Sequence, residues 1–293
     1  MKYGFPKICI GALLLLPWLC FSQDAPNRDQ LRYNQVQQKA AHNSEQRKEN
    51  IFAQLKTCNV RTIEFDVHAK KAPAGDWLVY HTLADRATNC RLLSDCYQQV
   101  IDFHKSEPNH EVITIFWDID GLGLKGHTKS DFYAQIERTF PAGSVVKPAD
   151  FLAACPAAAT LQESVTKPGC GWPMLKDLRG KFMFVISDGK ADLRKAGYDP
   201  RNDLVFLVSN YTVPEKINAL PDVVFFNMSG ANPFAKTARE TGFVSRVYWL
   251  DQPKYEKAME LGANLLATDY LDPRQFPWTS TTQPDGFPFK TIK

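Results

Sequence analysis

The sequence has no block of like charge, no Gly/Ser-rich linker and no low-complexity tract. Those absences leave no seam at which to divide the chain, so a single domain is expected. Basic residues are scattered among acidic ones and the net charge is only +3, which gives no electrostatic footprint for nucleic acid. None of the seven cysteines stands in CxxC spacing, which argues against a zinc site. No basic amphipathic helix is evident either.

The one marked apolar run, Ile8 to Leu19, follows Lys2 and Lys7 and is too short to span a bilayer. With Cys20-Phe21-Ser22 behind it, residues 1–22 read as a secretory signal peptide cut after Ser22. The protein is then secreted or periplasmic, with no transmembrane span after cleavage. Oxidising surroundings favour cysteine pairing. Cys90 with Cys96 and Cys155 with Cys170 are the expected bridges, which leaves Cys58 free.

Residues 23–293, about 270 in all, suit one (β/α)-barrel. Short apolar runs alternate with amphipathic segments. The expected strands are 35–41, 62–67, 77–81, 112–118, 182–187, either 204–208 or 223–227, 245–250 and 264–268. Helices are expected over 45–57, 94–104 and 130–140, the last two capped by Ser94 and Ser130, and over 253–261. The predicted fold class is α/β, a TIM-type (β/α)8 barrel with room for distortion.

Polar residues gather where these strands end: His42 and Asn43, Glu64 and Asp66, His81, Asp118, Asp188, Asn227 and Asp269. In such barrels the carboxyl ends of the strands build the active site. The two-residue strand period puts Glu64 and Asp66 on one side, and two adjacent carboxylates need a positive partner. Oxygen ligands from Asn43, Glu64, Asp66 and Asp118 point to calcium or magnesium. Two imidazoles, His42 and His81, supply the charge stabilisation and proton transfer that cleavage of a phosphodiester requires. His104, His110 and His127 lie away from any motif and read as surface residues. Trp172, Trp249 and Trp278 are candidates to dip into a membrane interface.

With His42-Asn43, Glu64-x-Asp66, His81 and Asp118 in that order, the chain resembles the phosphatidylinositol-specific phospholipase C superfamily, in its secreted bacterial calcium-dependent branch. Arg32-Tyr33-Asn34-Gln35, Thr88-Asn89-Cys90, the segment Gly171 to Lys181 and the segment Gly262 to Tyr270 extend the resemblance over most of the mature chain. It implies that His42 stabilises the pentacoordinate phosphorus and that His81 protonates the departing diacylglycerol oxygen. Asn43, Glu64, Asp66 and Asp118 match the Ca2+ ligands, with Glu64 or Asp66 also helping to deprotonate the inositol 2-hydroxyl. Asp118 is one carbon shorter than the glutamate the family often has, and Glu45 adds negative charge at the mouth. Arg179, Lys181 and Arg246 are the candidates to grip the headgroup. The implied partner is a phospholipid at a membrane surface, bound peripherally. A glycerophosphodiester phosphodiesterase would share barrel, histidines and metal, but typically has arginine where this chain has Asn43. A secreted barrel that only binds would be expected to have lost a histidine or a ligand, and both sets are intact.

Overall fold

Eight apolar runs form parallel strands that join edge to edge into a ring. The coordinates, a computed structural model, describe Met1 and residues 27–120, 126–187, 197–210 and 212–292. The expected leader and Asp188 lie outside the described residues.

The ring is β1 (Val36–Ala41), β2 (Thr62–His68), β4 (Ile113–Asp120), β6 (Phe182–Ser187), β7 (Phe206–Ser209), β8 (Val223–Ser229), β9 (Val244–Tyr248) and β10 (Leu265–Thr268). All pair in parallel in this order, and β10 returns to β1. A single registered pair, Ala40 with Thr62, closes the ring between β1 and β2, whereas seven pairs join β2 to β4. Three short strands lie outside it. These are β3 (Leu78–Val79), antiparallel to β2, β5 (Val145–Val146) beside β6, and β11 (Phe289–Thr291), antiparallel to β1.

The TIM-type barrel is therefore as expected, with one reassignment. The run at 77–81 is not a barrel stave, and both 206–209 and 223–229 are. A two-residue strand cannot cross the barrel, whereas the two later runs are buried almost throughout, as strands covered on both faces must be.

Helices coat the ring. In α1 (Ile51–Lys56) the N-cap Asn50 accepts from Ala53 N. Residues 45–50, expected to belong to this helix, instead turn through a short 3-10 element at Ser44–Gln46. The 14-residue α2 (Leu93–Ser106) buries Leu93, Cys96, Tyr97, Val100, Ile101 and Phe103, one apolar stripe at helical spacing. Ser94 lies within its first turn, not at its cap, and donates to Asp76 Oδ2 at 2.6 Å. In α3 (Lys129–Thr139) the cap is Thr128, which exchanges bonds with Asp131 in a capping box, and not Ser130. The remaining helices among the described residues are α4 (Pro148–Ala154), α5 (Leu161–Thr166), α6 (Phe234–Thr241) and α7 (Gln252–Glu260).

Alternation along the strands separates two cores. Outward residues of β4 meet the helices, where Trp117 stacks on Phe184 at 4.8 Å and meets Phe132 edge-on at 4.4 Å. Truncating Trp117 to alanine there would cost about 3–5 kcal/mol. Inside the ring, Phe225 packs against Tyr33 and Trp172, and the Tyr33 hydroxyl is 2.5 Å from Thr114 Oγ1. This aromatic plug seats the polar layer above it. Trp172 is fully buried in the plug and Trp278 packs against the core, so neither is free to meet a membrane, contrary to expectation.

The expected bridges Cys90–Cys96 and Cys155–Cys170 are formed, and Cys58 is a buried free thiol. Both bridges fit an oxidising compartment. His110 and His127 are not surface residues: His110 bonds His104 Nδ1 at 3.0 Å and the Glu111 carbonyl at 2.8 Å, and His127 packs on Trp77. Among the described residues no helix is long and apolar enough to cross a membrane.

Candidate active site

The turn after β1 carries the first histidine. Asn43 adopts a left-handed conformation (φ 46°), which asparagine tolerates better than most residues and which turns the chain sharply at the strand end. The turn is bolted to β2: Asn43 N donates to Glu64 Oε2 at 3.0 Å, and Ser44 Oγ accepts from Glu64 N at 3.0 Å. Asn89, beside the Cys90–Cys96 bridge, clamps it from outside through its amide, which donates to the carbonyls of Ser44, Arg47 and Glu49.

At the carboxyl end of the ring lies a cavity of about 210 Å³. His42, Asn43, Glu64, Asp66, His81 and Asp118 all line it, so residues scattered over 77 positions of sequence converge. Asp66 and Asp118 stand opposite each other in the β2–β4 register. His81 follows β3, whose antiparallel pairing with the end of β2 brings it to the mouth. The small strand thus serves the site without being part of the ring. Ser187, Asn210, Asn227, Tyr248 and Trp249, each at or just beyond the end of a later strand, complete the wall.

His42 is held from three sides. Its Nδ1 lies 3.0 Å from Asp269 Oδ1, an oxygen that Arg47 also approaches at 2.8 Å. Burial works to raise the Asp269 carboxyl, but the bond from His42 and the charges of Arg47, His42 and His81 outweigh it and hold the group below the usual carboxylate range. Tyr248 stacks on the imidazole at 5.7 Å, and Trp249 meets it edge-on at 6.1 Å. Trp249 is left-handed (φ 60°), a strained choice for an aromatic residue. With Nδ1 fixed on Asp269, Nε2 is the nitrogen left for a ligand.

Beneath the cavity lies Arg246, 1% exposed. It donates to Asn227 Oδ1 at 2.9 Å and to Glu64 Oε2 at 2.5 Å, and sits over the Phe116 ring. Of the three cations expected to grip a headgroup, Arg246 alone is near the site. Arg179 and Lys181 precede β6 and stand at the opposite end of the barrel, where Arg179 pairs with Asp29 and Glu111. That corrects their assignment: a residue entering a strand faces away from the end where the site is built.

Glu45 is also displaced from expectation. It is fully buried behind Asp66 instead of at the mouth, and its carboxyl hydrogen-bonds the Asp66 side chain. Burial, reinforced by Asp66 and Glu64, pushes its carboxyl well above the usual range.

Among the described residues no three acidic, histidine or cysteine side chains form a ready metal cage. The donor chemistry nonetheless fits a hard cation. Four carboxylates, Glu45, Glu64, Asp66 and Asp118, face one another's charge, and Arg246 engages one oxygen of one of them. The oxygen donors that line the cavity, Asn43, Glu64, Asp66 and Asp118, are of the kind a hard cation takes.

The sequence alone assigns no role to Asp269, Arg47 or Tyr248. Asp269 ends the last strand of the ring, and a closed ring sets that strand beside β1. That adjacency was the available signal.

Residues 77–206 match the family model described as phosphoinositide phospholipase C, Ca2+-dependent. Comparison with curated proteins gives no match. Among solved structures, a calcium-dependent phosphoinositol-specific phospholipase C from Pseudomonas sp., in complex with myo-inositol, shares the fold with a TM-score of 0.73 at 22% identity, over 91% of this chain and 97% of that one. A Ca2+-dependent phosphatidylinositol-specific phospholipase C from Streptomyces antibioticus gives 0.66 at 18% identity, over 83% of this chain and 96% of that one. Residues 77–206 thus belong to the calcium-dependent branch of the phosphatidylinositol-specific phospholipase C superfamily, and the barrel around them has that superfamily's fold.

Proposed function

We propose that this protein is an exported, calcium-dependent phospholipase C that cleaves the glycerol-side phosphodiester of phosphatidylinositol. The observation that carries the reading is the meeting of His42 and His81 with Asn43, Asp66 and Asp118 around one cavity at the carboxyl end of the barrel.

In this mechanism the inositol 2-hydroxyl attacks phosphorus and its proton passes to a carboxylate, Glu64 or Asp66. The new O–P bond forms as the bond to the glycerol oxygen breaks. His42, steadied by Asp269, donates to a phosphoryl oxygen and offsets the charge that develops there. His81 gives its proton to the departing diacylglycerol oxygen. The product is a cyclic inositol phosphate, which water can later open. Asn43, Asp66, Asp118 and the oxygen of Glu64 not taken by Arg246 would hold calcium, which when bound supplies Lewis-acid polarisation of the attacking hydroxyl.

The described wall favours an uncharged ring. Ser187, Asn210, Asn227 and Tyr248 offer hydroxyls and amides. Among the described residues the guanidiniums near the site are already engaged, Arg246 by Glu64 and Asn227 and Arg47 by Asp269. Unphosphorylated phosphatidylinositol is the substrate that suits this lining.

Peripheral membrane contact follows from the mouth. Apart from Met1, the exposed large apolar side chains among the described residues are Leu83, Val213, Trp249 and Tyr270. Leu83 lies two residues past His81, Trp249 and Tyr270 directly follow β9 and Asp269, and Val213 follows β7. All four ring the catalytic end, where an apolar rim would seat the cavity on a lipid surface.

The test is product release from phosphatidylinositol, phosphatidylcholine and glycerophosphodiesters, with calcium and with chelator. Diacylglycerol plus cyclic inositol phosphate from phosphatidylinositol, only with calcium, is the expected result. Glycerol-3-phosphate from glycerophosphodiesters, or full turnover in chelator, would overturn the reading.

A further inference from the structure

We propose that His68 is a positioning residue for His81: it fixes the peptide from which the leaving-group acid projects. This rests on the phospholipase reading above and deepens it with a residue that reading leaves unused.

His81 needs such support. It lies just beyond β3, a strand of two residues, and opens the stretch 81–87, every residue of which is exposed. A proton donor has to stay within hydrogen-bond reach of the oxygen it serves, and an exposed loop side chain does not hold a position by itself. What is fixed is the residue before it. Tyr80 is buried, and its N–H donates to the Asp66 carbonyl at 3.2 Å.

His68 supplies the rest of the anchor. The period of β2 puts it on the face of Glu64 and Asp66, one step further along the strand. Its Nε2 lies 2.8 Å from the Tyr80 carbonyl oxygen, and because a carbonyl only accepts, that nitrogen carries the hydrogen. The imidazole also stacks on the Tyr80 ring, with centroids 4.0 Å apart and planes 10° from parallel. That carbonyl belongs to the peptide joining Tyr80 to His81. Bond and stack together therefore set the plane of the chain at the point where His81 leaves it. From the far side of the exposed stretch, Arg86 folds back over the same tyrosine ring at 5.3 Å. Neither His68 nor Tyr80 lines the cavity, so both act through His81 and not on substrate.

A comparison of leaving groups tests this. The diacylglycerol alkoxide needs a proton as it departs, whereas p-nitrophenolate leaves without one at neutral pH. His68→Phe keeps a ring for the stack and removes the donor. Its kcat on phosphatidylinositol should fall by roughly 10- to 100-fold, the scale of a misplaced reacting group, with KM within about twofold of wild type. On the p-nitrophenyl ester of inositol phosphate its kcat should stay within about threefold. Tyr80→Leu, which removes the stack, should show the same selective loss and serves should His68→Phe fold poorly. Adding His68→Phe to His81→Ala should cost no more than His81→Ala alone, because the two act as a unit. Equal loss on both esters in folded variants, or no loss on either, would overturn the role of His68 alone. A wild type that releases no diacylglycerol from phosphatidylinositol would overturn the phospholipase reading and this inference together.

Discussion

Replacing Asp269 by asparagine removes one charge from a pair that positions His42, and its effect can be bounded from the geometry. The carboxylate receives Nδ1 of His42 at 3.0 Å and Arg47 at 2.8 Å on the same oxygen. Hydrogen bonds to a charged group contribute about 1.5–3 kcal/mol. The Asp269 side chain is 45% exposed, so solvent screening places the loss near the lower end. At 1.36 kcal/mol per tenfold, Asp269→Asn should lower kcat by roughly 10- to 30-fold. The asparagine amide can still accept from Nδ1, which preserves the tautomer; if it instead turns its NH2 to the ring, the loss is larger. KM should change little, because Asp269 does not line the cavity. The assay is steady-state release of inositol phosphate from phosphatidylinositol vesicles, with circular dichroism to confirm the fold. A kcat within threefold of wild type, or a loss carried by KM alone, would show that Asp269 only anchors Arg47 and would refute the role assigned to the His42 pair.

Other outcomes follow from the same structure. His42→Ala and His81→Ala should each lower turnover by about 100- to 10,000-fold with the fold intact, as measured by the same assay. Leu83→Ala and Val213→Ala should weaken binding to sedimented phosphatidylinositol vesicles and spare hydrolysis of a soluble, short-chain substrate, since neither lines the cavity; equal vesicle binding would remove the apolar rim from the account. Burial, with Arg61 and His104 adding to it, pushes the His110 imidazole down to about 4, against an unfolded value of 6.5. Between these values the unfolded chain binds the extra proton, so stability falls as pH drops from about 6.5 towards 4 and then levels with respect to this group. Its share is about 3 kcal/mol. Denaturant titrations of wild type and His110→Phe across this range should diverge accordingly.

Much of this architecture was legible in the sequence, for physical reasons that also mark where legibility ended. The strand 182–187 shows that an apolar run between turn signals fixes a buried stave well. The run at 77–81 reads equally like a stave because it ends in His81, yet its pairing with the end of β2 is antiparallel and two residues long. Periodicity records which side chains are buried and not which strand lies alongside. Arg179 and Lys181 failed as headgroup ligands because composition does not distinguish the two ends of a barrel, although their place before β6 does. Glu45 failed in the opposite sense. A charged residue in a polar turn reads as exposed, and only the clamp by Asn89 and the bolt to Glu64 explain how it is drawn inside.

The single backbone pair between β1 and β2 gives these contacts a second meaning. Where the other staves share two to seven registered pairs, this joint is completed by Asn43 and Ser44 reaching across to Glu64. The proposed reaction centre is thus also the clasp of the hoop, so that selection for turnover and selection for a shut cylinder would act on the same few atoms.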